Sequence, residues 1–506
     1  MSAGLPTSPE FLRLQGLRRG RNGGLVFRDR RIPFGELADA VDGLARWLVR
    51  HGAGAGDAIG VMAANEPAMV AMTYAVWGIG AMTVPIAVRS TAEEVARLLV
   101  HAHARGLLCD AARRGVARDA ATTAGVPAWA CNPDLPLAPR VAVRTRRLPS
   151  RRARPPRAED RASIAYTSGT TGAPKGVVLT HANFWWSALA CGSARGDGPD
   201  GVGACLSPLT HTPVLVSHLL CRVLAGATAV LLEKFELGNV LAAVERFAIT
   251  DLSLIGGMVF EVVDMGSVPQ AVRRSVRKVT VGGAPTRMEA KRVLRGMFDG
   301  AEVIEAYGQT ESTDGVTMAR GTSVFDREGT VGCENPHVLV RIRRRDGTLA
   351  APGEEGEIVV GGPTVMAGYH RDARATAAAI REGWLHTGDL GRRDADGWLY
   401  LTGRVKELII TGGENVAPGE IEEVLRTHPE VADVAVIGTP HAKWGEQVTA
   451  IVVRKPGSAV DGNTLGAFVG QRLAGFKRPR RFEFIATLPR NAANKVQTSV
   501  LKEQFR

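Results

Sequence analysis

The run Tyr166-Thr-Ser-Gly-Thr-Thr-Gly-Ala-Pro-Lys-Gly176 places four Ser/Thr hydroxyls, three glycines and one lysine between two short apolar segments, Ala162–Tyr166 and Val177–Leu179. Short apolar segments bounded by turn residues predict buried strands, so the loop connects strand to strand. Gly169, Gly172 and Gly176 let backbone N–H groups approach an anion closely, Ser168, Thr170 and Thr171 offer hydroxyl donors, and Lys175 adds positive charge. Such a loop is built to hold phosphate. It is not a Walker loop, in which Gly-Lys-Ser/Thr opens a helix; here Gly176 and a strand follow Lys175. A flexible Gly/Ser linker would not need this order of hydroxyls, proline and lysine.

With 506 residues, 45% of them apolar, the chain exceeds what one core ordinarily holds, and two or more domains are expected. The opening Met1-Ser-Ala-Gly-Leu-Pro lacks a basic-then-apolar pattern, so no secretory signal is read and a cytoplasmic protein is expected. The uncharged stretch from Pro67 to Val88 is long enough to raise a membrane helix, but Gly78, Gly80 and Pro85 interrupt it. The expectation is a buried helix over Ala68–Trp77, a strand near Met82–Ala87 and no membrane span.

The net charge of +12 invites a nucleic-acid reading, yet seven arginines between Arg144 and Arg157 supply more than half of it. They alternate with Pro149, Pro155 and Pro156 and carry no aromatic residues for stacking, so this is read as a solvated linker, with no nucleic-acid partner. The cysteines at 109, 131, 191, 205, 221 and 333 show no Cys-x-x-Cys spacing and read as reduced thiols. Cys205, His211, His218 and Cys221 fit no common zinc spacing, and His101 and His103 read as solvated.

Before about Pro139, helix-like stretches such as Phe34–His51 alternate with apolar runs such as Ala58–Met62, the βα pattern of a parallel sheet. Residues 160 to about 403 repeat it, with helices near Thr180–Ala190 and Val240–Phe247 and strands near Ala227–Leu232 and Lys278–Val281. Val338–Val360, with three glycines between apolar runs, predicts a small antiparallel barrel or ribbon. The last hundred residues read as a compact α/β unit with helices Pro418–Thr427 and Leu465–Leu473 and strands Val431–Ile437 and Gln447–Val453.

The phosphate loop is followed, in order, by Tyr307-Gly-Gln-Thr-Glu311, Thr387-Gly-Asp389, Gly403-Arg-Val-Lys-Glu407, Gly412-Gly-Glu-Asn-Val416 through Pro418-Gly-Glu-Ile-Glu422, and Pro489-Arg-Asn-Ala-Ala-Asn-Lys495. Over nearly its whole length the chain resembles the adenylate-forming superfamily of acyl- and aryl-CoA ligases, carrier-protein adenylation domains and luciferases. The resemblance implies an α/β fold: a large N-terminal AMP-binding domain, 1–403, of two parallel βαβ-type sheets and a small β-barrel, and a smaller mobile α+β lid, 404–506, hinged at Lys406.

It also implies roles. Thr167, Ser168, Gly169, Thr170, Thr171, Gly172 and Lys175 would wrap the β- and γ-phosphates of ATP, and Glu311 would bind Mg²⁺. Thr310 would contact the α-phosphate and Tyr307 would stack on adenine, with Gly283, Ala284, Pro285 and Gly308 bordering it. Asp389 would accept both ribose hydroxyls, reinforced by Arg404. Lys495 would stabilise the pentacoordinate charge of the first step, although Asn494 stands where the family usually has glycine. For the second step the lid would rotate about Lys406 and bring in the Gly412-Gly413 loop, with CoA as the thiol and Lys477 as a candidate for its phosphates.

His211 would separate the acyl pocket from the thiol tunnel, with Pro213, Ser217, Gly282, Ala306 and Gly308 lining the pocket. No aspartate is read at the entrance for an α-amino group, which weighs against an amino-acid adenylation domain. The leading expectation is an ATP-dependent acyl- or aryl-CoA ligase using ATP, Mg²⁺ and CoA on a small carboxylic acid, as a monomer or homodimer. Delivery of the adenylate to a carrier protein or an amine, activation of nitrite for diazotisation of an aryl amine, and a silent nucleotide-binding protein remain open alternatives. Between fatty and aromatic acids the residues do not choose.

Overall fold

The computed structural model describes residues 5–19, 22–131, 140–143, 153–167, 175–283, 286–407, 409–411, 414–416, 418–441, 445–473, 475–490 and 495–505. Two compact units emerge: residues 1–340 with 360–385, and residues 341–359 with 386–506. Grouped by compactness, residues 386–403 therefore fall with the second unit, away from a division at 403/404.

The first unit holds two sheets. In one, strands Ala58–Met62, Met82–Pro85, Ala104–Asp110, Ala128–Cys131 and Arg161–Thr167 run parallel, and Lys175–Thr180 adds antiparallel to Arg161–Thr167. In the other, Gly24–Phe27, Thr228–Leu231, Val202–Cys205, Asp251–Ile255, Lys278–Gly282 and Glu302–Gln309 are parallel neighbours in that order. The two segments read from the sequence as successive βα repeats thus exchange strands. Gly24–Phe27 joins the sheet of the later segment and Arg161–Thr167 the sheet of the earlier one.

The uncharged stretch is resolved by packing. Helix Pro67–Gly78 is buried on every side from Pro67 to Trp77, and the Trp77 indole donates to the Ala162 carbonyl at 2.7 Å. A helix apolar all round is a core element; each fully buried side chain of this size contributes on the order of 2–3 kcal/mol. Among the described residues, no helix is long and apolar enough to cross a membrane.

In the second unit the strands Leu339–Arg343 and Glu355–Gly361 stand beside Trp384–Arg393 and Leu399–Arg404 as one ribbon-like run. A separate sheet contains Ile409–Thr411, Glu414–Val416, Val431–His441, Gly445–Arg454 and Arg481–Phe484. Its core is Ile409, Val416, Ile421, Leu425, Val434, Val436, Val448, Val452, Leu465 and Val469, so helices Pro418–Arg426 and Gly462–Gly470 bury their apolar stripes on one face.

Of the arginine-rich linker, 144–152 lie outside the described residues. Arg154 grips the Asp160 carboxylate at 2.6 and 2.8 Å.

Candidate active site

The glycine- and hydroxyl-rich loop is the connection of a hairpin. Arg161–Thr167 and Lys175–Thr180 pair antiparallel with Thr167 opposite Lys175; Ser168, Gly169, Thr170, Thr171 and Gly172 lie outside the described residues. A Cβ on Gly176 would come within 2.8 Å of Ile164 and 3.2 Å of His370, so the base of the hairpin requires glycine. On the far edge, Gly368–Tyr369 pairs with the same strand, Tyr369 opposite Val177.

Tyr369 was not singled out in the sequence, and it links two residues that were. Lys175 Nζ sits 5.0 Å from its ring centroid, and its hydroxyl donates to Glu311 Oε1 at 3.0 Å. Burial first, and then the Glu311 charge, push the Tyr369 hydroxyl up, so it stays a donor. The second carboxylate oxygen of Glu311 has no partner among the described residues. A half-buried hard oxygen donor of this kind suits Mg²⁺, which takes one or two carboxylates together with phosphate oxygens.

Glu311 is held in place by backbone geometry. Strand Glu302–Gln309 breaks register between Tyr307 and Gly308, and a Cβ on Gly308 would lie 1.9 Å from the Asp314 carbonyl oxygen. The following 3-10 turn, Thr310–Ser312, ends at Thr313 with φ 67°, pinned by its hydroxyl on the Thr364 carbonyl at 2.6 Å. Gly282 stands opposite Ala306 on the parallel neighbour, and Gly283 follows with φ +73°. Gly282, Gly283, Ala306, buried Tyr307, Gly308, Thr310 and Glu311 therefore gather at the carboxyl ends of two adjacent parallel strands, the usual place for a ligand crevice in an α/β sheet. Ala284 and Pro285 lie outside the described residues.

His211 caps the turn Thr212–Val214, its N–H on the Pro208 carbonyl at 3.0 Å; it is exposed as a residue, yet desolvation of its ring holds the imidazole below the ordinary range, so the ring is neutral at pH 7. Pro213 and Ser217 follow, the latter in a π-helical stretch, Leu215–Leu220, where its hydroxyl satisfies the Pro213 carbonyl at 2.6 Å. Buried Asn65 fixes the approach to His211: its amide donates to the Cys205 and Ser207 carbonyls at 3.3 and 2.8 Å and its oxygen accepts from Leu209 N–H at 2.9 Å. An asparagine before a helix reads in sequence as a turn residue, which conceals this role.

Asn65→Leu is expected to cost about 2–4 kcal/mol, because it strands two carbonyls and an N–H, and to lower turnover while leaving the KM for ATP within about twofold. Thermal denaturation and steady-state kinetics check this; an unchanged melting temperature contradicts it.

No group of three or more His, Cys, Asp or Glu able to hold a metal occurs among the described residues. Cys205 and Cys221 are buried, their thiols aimed at the carbonyls of His218 and Ala188. His101 departs from the expectation of simple solvation: although exposed, it places Nδ1 2.7 Å from the Tyr166 hydroxyl. That pairing joins residues 65 positions apart and leaves no local signal.

In the second unit, Asp389 and Arg404 face each other across an antiparallel ladder, Arg404 Nε donating to Asp389 Oδ1 at 2.9 Å. Asp389 is buried, while Arg404 is half exposed. The Asp389 backbone N–H is held by Thr387 Oγ1 at 3.1 Å. Lys495 belongs to the same electrostatic group. As a residue it is exposed, yet desolvation of its ammonium and the Arg404 charge hold it below the ordinary lysine range, against the opposite pull of Asp389 and Glu407. A bridge between Arg490 and Val496 clamps the chain beside it. Asn494, Gly412 and Gly413 lie outside the described residues, as does the side chain of Lys406, whose backbone forms part of the short helix Val405–Glu407. Lys477 is already engaged by both Glu420 oxygens, at 2.8 and 2.6 Å, which argues against a role for it in holding CoA phosphates.

The sequence profile of AMP-binding enzymes matches residues 15–370, and that of the AMP-binding enzyme C-terminal domain matches 420–495. The chain is 32% identical to a feruloyl-CoA synthase of Amycolatopsis over 96% of its own length and 95% of that protein's. It is 31% identical to an indoleacetate–CoA ligase of Aromatoleum aromaticum, covering 96% of each chain. The o-succinylbenzoate CoA synthetase of Bacillus subtilis, solved with its acyl-adenylate intermediate, superposes with a TM-score of 0.83 at 29% identity, over 98% of this chain and 99% of that one. The same enzyme solved with ATP and magnesium gives a TM-score of 0.81 at 28% identity, over 98% of each. The chain belongs to the AMP-binding enzyme family, within the adenylate-forming superfamily. It is an AMP-forming acid–thiol ligase that uses ATP and Mg²⁺ to activate a carboxylic acid as its adenylate, with release of pyrophosphate, and then forms a thioester with CoA.

Proposed function

We propose the following division of this chemistry among the residues of the chain. The hairpin loop with Thr167 and Lys175 holds the β- and γ-phosphates, and Thr310 holds the α-phosphate. Glu311 would hold Mg²⁺, which would supply charge neutralisation at the phosphates when bound. Tyr369 orients Glu311 and flanks Lys175, so the anion-binding groups are set before substrate arrives. Tyr307 stacks on adenine beside Gly283, Ala284 and Pro285. The Asp389 carboxylate, fixed by Arg404 Nε, accepts the ribose hydroxyls.

Lys495 stabilises the charge that develops as a carboxylate oxygen attacks the α-phosphorus and the bond to the leaving pyrophosphate breaks. Its partial desolvation supports this assignment, since an ammonium out of bulk water interacts more strongly with a developing anion. A C-terminal lid, residues 404–506, then turns about Lys406, exchanging Lys495 for the Gly412-Gly413 loop. The thiolate of CoA attacks the acyl carbon and AMP leaves, with neutral His211 gating the passage between the acyl pocket of Pro213, Ser217, Gly282, Ala306 and Gly308 and the thiol.

The geometry of Tyr369 carries this reading, because its hydroxyl on Glu311 and its ring beside Lys175 tie the metal-binding carboxylate to the phosphate-binding cation. Every residue assigned lies on one chain, so a monomer suffices. Free CoA is the acceptor rather than a carrier protein, and the cytoplasm, where ATP and CoA meet, is the compartment. Mass spectrometry of reactions with ATP, Mg²⁺, an acid panel and CoA tests it. An acyl-CoA accompanied by AMP is expected; adenylate that accumulates beside unreacted CoA would contradict the assigned acceptor.

A further inference from the structure

Asp314 is a carboxylate that the activation chemistry leaves unused. It opens strand Asp314–Arg320, which pairs antiparallel with Glu302–Gln309 so that Gln309 faces Asp314 and Gly308 faces Gly315. The turn Thr212–Val214 and the stretch Leu215–Leu220, carrying Pro213 and Ser217, pack against this strand, as does helix His181–Arg195. Asp314 therefore stands where the elements assigned to the acyl pocket converge.

Its partners are poor. Oδ2 receives only the Cys191 thiol, a weak donor, at 3.7 Å, and no other hydrogen bond reaches the carboxylate among the described residues. Arg195, whose charge acts on Asp314, is committed to Asp197 at 2.9 and 2.5 Å and to the Ser217 carbonyl at 2.7 Å. As a residue Asp314 is only part-buried, while burial of its carboxyl pushes it up to about 7. A structural aspartate in such surroundings ordinarily collects N–H donors; this one keeps acceptor capacity open.

We propose that Asp314 determines specificity by accepting a hydrogen bond from an amino or hydroxyl group that the acid carries at the end away from its reacting carboxylate. The preferred substrates are thus amino- or hydroxy-substituted acids. This rests on the acid-activation reading above. A site that hydrogen-bonds a substrate group discriminates strongly against the analogue lacking it, because the buried acceptor is left unpaired.

The test is acid-dependent ATP–pyrophosphate exchange with size-matched pairs: 4-aminobenzoate against 4-methylbenzoate, 3-hydroxybenzoate against 3-methylbenzoate, and 6-hydroxyhexanoate against heptanoate. For at least one pair, the wild type is expected to favour the donor-bearing acid about tenfold or more in kcat/KM. Asp314→Leu, which removes the acceptor at similar volume, brings that ratio to about one without changing the KM for ATP, and Asp314→Asn, which keeps an oxygen acceptor, lowers it only in part. Should the leucine variant fail to fold, the partial loss in the asparagine variant decides. Exchange without donor preference in any pair, or a preference that survives both substitutions, overturns the assignment of Asp314 alone. Absence of exchange with every acid overturns acid activation and this inference together.

Discussion

Replacing Lys495 with methionine lowers acid-dependent ATP–pyrophosphate exchange by about 10²–10³-fold, while thioester formation from supplied acyl-adenylate stays within a few-fold of the wild type. The reason is electrostatic. The ammonium is partly desolvated and feels the charges of Arg404, Asp389 and Glu407, and a desolvated charge interacts more strongly with a developing anion than one in bulk water. Methionine preserves the stem's packing and removes only the charge, so the melting temperature should hold. Equal loss in both half-reactions would mean that Lys495 supports the fold or the nucleotide generally, and that the division of labour between the two steps is wrong.

The second large effect is expected at Asp389. Asp389→Ala removes two charged acceptors for ribose and leaves Arg404 without the carboxylate that fixes its guanidinium at 2.9 Å. Hydrogen bonds to charged groups contribute about 1.5–3 kcal/mol each, so kcat/KM for ATP should fall about 10²–10³-fold, mostly through KM. Asp389→Asn, which keeps one acceptor oxygen, should recover part of the loss. The informative control is the KM for the carboxylic acid. It should move little, and a rise equal to that for ATP would show that the substitution had disrupted the whole site.

Much of this arrangement was legible in the residues because the chemistry is local. The hairpin around the phosphate loop shows as two apolar runs flanking a glycine- and hydroxyl-rich connection, and Asp389 and Arg404 stand within motifs whose strands pair directly. Helices such as Phe34–Arg50 and Leu237–Phe247 carry their apolar stripes openly.

What escaped is nonlocal. Gly368–Tyr369 is a strand of two residues, too short to carry a period, and its partner lies about 190 positions earlier. The exchange of Gly24–Phe27 and Arg161–Thr167 between sheets depends on pairing, which periodicity does not encode. Asn65 acts through backbone atoms more than 140 positions away. Asp314, followed by glycine, has the look of a turn and becomes notable only once the walls around it are in place.

The central claim is that a carboxylate oxygen attacks the α-phosphorus of ATP and later departs with AMP. Incubation with ATP, Mg²⁺, CoA and an acid labelled with ¹⁸O in its carboxylate, followed by mass spectrometry of the nucleotide, tests it directly. One ¹⁸O atom in the AMP is the predicted result. Unlabelled AMP, or label in inorganic phosphate beside ADP, would contradict it.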